Sequence, residues 1–365
     1  MDDPVNLFVF ILIVGARLLV PLWIPRFPLP AILLALVLDG VDGGVFERFT
    51  TLPLDNYQSY DKALDIYYLT IAYLSTIRNW TNQTAVQVGA FLLYFRLVGV
   101  LIFEFTNTRA ILFIFPNTFE YFFIFYELVR LRWNPERMGR KAVYGAAAAI
   151  WIVIKLPQEY WIHIAQRDVT DTLAENPVLI PILGVSIAII LGVAYRIIMH
   201  RMPPADHVPS FAVPDPVPAG RMAATLHRFR QNQLRDQGLL EKAVLISLIS
   251  TIFSQILPRT TLTATQTIIG VAIVVVVNAL ISEVLARRGM DWSSAMRHFG
   301  TMVVINGLLA VTFLRMLPGR EEGVDVANLI FLLFLVSLLV TLFDRFRAIA
   351  TGRRESEGMP VPNPG

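Results

Sequence analysis

The sequence predicts an all-α, polytopic transmembrane helix bundle with ten or eleven membrane segments. Three observations predict it. Of 365 residues, 55% are hydrophobic and 16% are charged, against roughly 25% charged in a soluble domain. The mean hydropathy is +0.58 over the whole length, as expected for a polytopic membrane chain. Apolar runs of about 20 residues, long enough to cross a bilayer, recur throughout the chain. A net charge of only +3 implies no nucleic-acid partner, and the expected partner is the lipid bilayer. There is no cysteine, which excludes disulfides, thiolate metal sites and cysteine nucleophiles. Arginine outnumbers lysine 27 to 4, which reads as a compositional habit.

The elements follow in order. "MDDPVNLF" lacks the basic start and small-residue cleavage site of a signal peptide, so 6–24 reads as a retained span. Segment 29–38 is too short to cross alone. It is either re-entrant or part of a span that continues through Asp39 and Asp42. Pro21, Pro25, Pro28 and Pro30 punctuate this region. A more polar span covers 60–78. The remaining spans are 84–105, 110–129, 142–160, 177–199, 241–257, 264–286, 298–317 and 326–344. Pro116, inside 110–129, is where the span count is least fixed.

The spans form an N-terminal bundle over 1–200 and a C-terminal bundle over 241–350. Between them, 201–240 opens Pro-rich and turns into a basic amphipathic helix. Met222, Leu226, Phe229 and Leu234 share one face, with Arg221, Arg228, Arg230 and Arg235 elsewhere. This helix reads as lying on the cytoplasmic membrane surface, or as an ordinary linker. Residues 351–365 read as a disordered tail. Arg and Lys concentrate in 130–141, 287–297 and 345–354. The positive-inside rule therefore places these stretches and the C-terminus in the cytoplasm of a bacterial inner membrane. Counting back puts the 40–60 loop outside. Transport or scaffolding needs no complete motif and is the default role.

Charges inside spans cost about 2.5–3.5 kcal/mol each on insertion scales, so each needs a reason. Most lie in the first half: Arg17, Arg96, Glu120, Glu127, Lys155 and Glu159. Glu120 and Glu127 are seven apart and share a helix face, and Arg96 is the expected partner of Glu120. These side chains are the candidate binding residues, with a structural ion pair as the plainer alternative. Glu159 and His163, at i and i+4, join them as a spacing able to share one metal or to form a polar cap at the membrane surface. Second-half spans carry milder groups such as Asn278, Glu283 and Asn306.

The densest acidic pattern is "LDGVDGG" followed by "DKALD". Asp39, Asp42, Asp61 and Asp65 lie within 27 residues. Converging carboxylates would hold Mg²⁺ or Mn²⁺. The plainer reading is an Asp-Gly turn, with Asp61 as a cap or first-turn acid of a helix beginning near Lys62. The pattern resembles that of the CDP-alcohol phosphotransferases, D-x-x-D-G-x-x-A-R followed by G-x-x-x-D-x-x-x-D. "GARLLVP" at Arg17 is similar to that family's first span. The resemblance covers about 65 residues. It implies two metals on the four aspartates, a CDP-linked lipid or alcohol as substrate, and catalysis on the cytosolic side. The Ala-Arg position reads Phe46-Glu47, and Tyr57 replaces the expected glycine. The stretch from Tyr60 also looks loosely similar to the second span of polyprenyl-phosphate-sugar glycosyltransferases. That likeness implies Asp39 or Asp61 as the catalytic base and a lipid-linked sugar donor.

Overall fold

A computed structural model describes residues 4–50, 54–165, 203–256, 263–289, 294–316 and 326–356, with the single residues 178, 181 and 196. The expected span 177–199 and most of the tail therefore lie outside the described residues. All regular structure among the described residues is helical. In order, the helices are α1 (Pro4–Leu19), α2 (Pro28–Phe49), α3 (Leu54–Asn79), α4 (Gln83–Thr106), α5 (Ala110–Ile114) and α6 (Thr118–Arg130). There follow α7 (Arg140–Ala149), α8 (Leu156–Glu159), α9 (Ala219–Gln231), α10 (Gly238–Ile256), α11 (Ala264–Arg287), α12 (Ala295–Met316) and α13 (Val326–Ser356). Six described stretches are long and apolar enough to cross a membrane: Pro28–Phe46, Gln83–Thr106, Ala110–Arg130, Gly238–Ile256, Ala264–Arg287 and Asn328–Ser356. Phe8–Trp23 is apolar but shorter.

Of the two readings of 29–38, the structure has the longer one, a helix that continues through Asp39 and Asp42; it is neither a short separate piece nor an Asp-Gly turn. Residues 28–49 form one continuous helix through both Asp-Gly pairs. Pro28 opens it, where a missing N–H does no harm, and Thr50 closes it by donating its hydroxyl to the Phe46 carbonyl at 2.7 Å. Three glycines in such a helix cost roughly 0.5–1 kcal/mol each. Ion pairs to Asp39 and Asp42 offset that cost. Likewise α3 begins at Leu54, so Asp61 sits well inside a helix and is not a cap.

α3 is more polar than its neighbours because it faces protein rather than lipid. From Ala63 to Trp80 every residue except Asp65 is buried. It packs against α1, α2, α4 and α6 of the first half, and against α10 and α13 of the second. The two halves thus share one central helix. At its C-terminal end, Trp80 stacks on Tyr126 with ring centres 3.9 Å apart. Trp80 also donates its indole N–H to Glu127 at 2.8 Å.

Two of the expected spans are broken. The 110–129 segment divides into α5 and α6 at Pro116, whose ring cannot continue the hydrogen-bond ladder. The 142–160 segment widens into π-helical turns at Ile150–Lys155 and Tyr160–Ile164, on either side of Pro157. Tyr160 and Trp161 remain exposed on this segment, as an aromatic belt requires.

The Pro-rich stretch is a strap across one end of the bundle. Val213 and Arg26 exchange main-chain and side-chain bonds at 2.8 Å. Asp215 pairs with Arg78 at 2.5 Å, and Asp206 pairs with Arg137 at 2.5 Å. Arg353 donates to the carbonyls of Arg78 and Trp80, at 3.0 and 2.8 Å. The same end therefore gathers the α1–α2 turn, the α3–α4 turn, the 132–138 loop and the end of α13. Helix α9 buries Leu226 and packs against α11 and α13.

The break after α5 depends on a missing side chain. A Cβ on Gly99 would overlap the Cβ of Phe115. Gly99→Ala should therefore destabilise the protein by about 1–3 kcal/mol through overpacking. Gly145→Ala, with nothing within 4 Å of its Cβ position, should be neutral or slightly stabilising. Thermal unfolding of the two purified variants in detergent checks this.

Candidate functional site

Three of the four aspartates come together, and what joins them is Arg17. The guanidinium of α1 is ion-paired with Asp39 and Asp42 of α2 and, at 2.7 Å, with Asp65 of α3. The spacing of Asp39 and Asp42, three apart on one helix, puts both on the same partner. The Asp61 side chain lies outside the described residues. Nearby, Tyr67 donates its hydroxyl to the Leu18 carbonyl at 3.0 Å, tying α3 to α1 beside the cluster.

Depth and exposure define the shape of this cluster. Asp39 lies eleven residues along α2 from Pro28, about 16 Å from the strap end at about 1.5 Å per residue. Asp65 lies about 21 Å along α3 from Asn79 by the same measure. Asp39 and Asp42 thus fall within the candidate span Pro28–Phe46. Arg17 and Asp42 are buried, with 3% and 5% of their side-chain surface accessible. Asp39 and Asp65 keep 29% and 39%. Arg17 and Asp42 are thus the buried part of the cluster, and Asp39 and Asp65 its part-exposed carboxylates. One guanidinium and three carboxylates carry a formal charge of −2.

A second polar network adjoins the first. Tyr68, one turn along α3 from Asp65, donates its hydroxyl to Glu120 at 2.7 Å. Asp65 and Asp39 both act electrostatically on Tyr68, so the networks share one region. The other Glu120 oxygen accepts from Asn117 at 2.9 Å and lies 3.9 Å from the Lys155 ammonium. Lys155 also sits 4.1 Å over the Tyr121 ring. The Asn117 backbone N–H, at the break before α6, donates to Glu159 at 3.1 Å. Glu159 in turn binds His163 at 2.9 Å. The α5–α6 break thus exposes a helix N-terminus inside the bundle, and acids occupy it, as the local dipole favours.

The expected Arg96–Glu120 pair does not form. Arg96 donates instead to the Phe115 carbonyl at 3.0 Å, one of the main-chain groups freed by the break. Lys155 takes the Glu120 role because the π turn brings it to α6. Glu127 stands apart from the network. It is fully buried between Trp80 and Arg130, the latter at 2.6 Å, and braces α3 against α6. Glu159 and His163 do meet, but they satisfy each other.

Tyr68 and Asn117 were not singled out by the sequence, since a tyrosine and an asparagine in aromatic-rich spans carry no signal. The second half also holds more charge than its milder groups suggest. Lys242 and Asp344 are buried together at 2.7 Å. Both fall at the ends of apolar runs, where they read as flanking charges.

A divalent metal does not fit these side chains as they stand. Among the described residues no three His, Asp or Glu side chains are placed to hold a metal ion. The Arg17 guanidinium occupies the point between the carboxylates. Comparison with family models, curated proteins and solved structures finds no match to this chain.

Arg17 should be essential to the fold of this region. Arg17→Ala leaves three carboxylates to repel one another and should cost about 3–5 kcal/mol, the scale for breaking a buried pair. Adding Asp42→Asn should recover part of that loss. Yield and thermal midpoint of the two variants, side by side, measure it.

Proposed function

We propose that this membrane protein binds and moves a small cation, a proton or an alkali ion, through a crevice at Asp39 and Asp65. One observation carries the reading: two carboxylates, on a candidate span and on the central helix packed against it, keep open surface beside a buried Arg17–Asp42 pair, which leaves the cluster two charges negative. Charged groups in membrane segments are expensive and are characteristic of ion and proton paths. A broken helix beside them, with its N-terminus inside the bundle, is the arrangement tolerated where backbone lines a cavity. Asp39 and Asp65 are the binding carboxylates. Tyr68, Glu120, Lys155, Glu159 and His163 form a relay toward the far end of the 140–164 segment. We place the strap end, rich in arginine, in the cytoplasm.

A second reading is a divergent CDP-alcohol phosphotransferase. It is favoured by the convergence of Asp39 and Asp42 from one helix with Asp65 from the next. It would require Arg17 to leave the centre of the cluster. The polyprenyl-sugar reading gains no comparable support.

Proteoliposomes separate the two readings. With a pH-sensitive dye inside, or with labelled sodium or potassium outside, the wild type should show cation flux. Asp65→Asn and Asp39→Asn should lower that flux at least about tenfold while leaving the protein monodisperse, since one lost charge contact is worth about 1.5–3 kcal/mol. Flux unchanged by both variants contradicts the transport reading. CMP release from CDP-diacylglycerol, dependent on Mg²⁺ or Mn²⁺, would establish the second reading instead.

A further inference from the structure

A second site lies well away from the crevice, at the strap end. Helix α9, the turn that follows it and the last turns of α13 line an open cavity of about 350 Å³. That is room for about ten water-sized groups. Four arginines line it, Arg228, Arg235, Arg347 and Arg354, against two acids, Asp236 and Glu355. The acids are already engaged. Asp236 lies 3.6 Å from Arg347, and Glu355 lies 3.6 Å from Arg228. Arg235 and Arg354 have no carboxylate within ion-pair reach among the described residues, and Arg354 donates to the neutral Gln83 at 3.0 Å.

Arg347 is also 3.9 Å from a third acid, Glu241, so the four arginines and three acids leave a surplus of one positive charge. The C-terminus of α13 opposes this with about half a negative charge, which is too little to cancel it. Close packing holds the walls together. A Cβ on Gly352 would come within 2.5 Å of the Thr225 side chain, and one on Gly238 within 2.8 Å of Arg347. The two guanidiniums free of carboxylates are thus presented from packed elements. Planar guanidinium forks suit phosphate oxygens, which they bind two at a time. An arginine-rich pocket at the membrane boundary is also where anionic headgroups collect.

We propose that this cavity is a binding site for a phosphate monoester or diphosphate group. Arg235 and Arg354 are its direct contacts, and Arg347, fixed by Asp236, forms its back wall. The group can come from an anionic lipid headgroup or from a soluble phosphate compound. The site is independent of the cation crevice and stands whether or not that reading holds.

The test uses the full chain in detergent, in phosphate-free buffer. The probes are inorganic phosphate, pyrophosphate, short-chain phosphatidic acid and short-chain phosphatidylcholine. Saturable binding is followed by the rise in thermal midpoint. Protection by phosphatidic acid alone assigns the lipid source. Protection by pyrophosphate or phosphate as well assigns a soluble one. In both cases phosphatidylcholine should have no effect. Arg235→Ala with Arg354→Ala should weaken binding at least about tenfold. Arg221→Ala, an exposed arginine of the same helix outside the cavity, should not. If the double variant has a lower midpoint without any probe, Arg235→Lys with Arg354→Lys keeps the charge and should retain weaker binding. No protection by any anionic probe, or equal weakening in Arg221→Ala, overturns the proposal.

Discussion

An arginine side chain inside a bilayer must be paired, and the first half of this protein is arranged around that requirement. Arg17, buried on an apolar helix, cannot stand alone. Its partners come from two other helices, Asp39 and Asp42 from α2 and Asp65 from α3. Satisfying one charge thus fixes the relative position of three helices. It also holds α2 helical through residues whose local chemistry favours a turn. α3, locked by this cluster near its middle and by Trp80 at its end, then serves as the post on which the second half packs.

The same constraint generates the functional features. Three carboxylates over-compensate one guanidinium, and the excess falls on the two side chains that keep open surface. The excess charge is tolerated where water or a cation can reach it. The α5–α6 break and the π turns beside Pro157 supply the adjoining wall. Each departs from the regular ladder, and each sets a polar group, Asn117 or Lys155, against Glu120. Irregular backbone in a membrane segment survives where it is enclosed by protein.

Much of the helical layout was legible in the sequence. Hydropathy marked the apolar helices α4, α10 and α11 within a few residues, and Pro116 marked a break; it marked the start of α13, but that helix runs twelve residues past the expected end, so that 351–356, read as disordered tail, are helical. The failures have specific physical causes. α3 looked marginal because a helix surrounded by other helices has no need to be oily all round. "DGVDGG" looked like a turn because local propensity cannot register an ion pair to a residue 22 positions earlier. Arg96 looked like the partner of Glu120 because spacing along the chain does not reveal that a π turn swings Lys155 inward. Lys242 and Asp344 were missed because each sits at the edge of an apolar run. The aspartates were a sound place to look, but their organising partner was a single arginine in the preceding span.

The central claim is that the part-exposed carboxylates open onto a hydrated, anionic crevice within the membrane. The chain has no cysteine, so a single introduced thiol reports without background. Asp65→Cys in sealed vesicles should react with a small, membrane-impermeant thiol reagent from one side. A cationic reagent should react faster than an anionic one of similar size, because Asp39 and Asp42 remain to attract it. A thiol at position 65 that reacts with neither reagent, or with both at the same rate, would contradict the account.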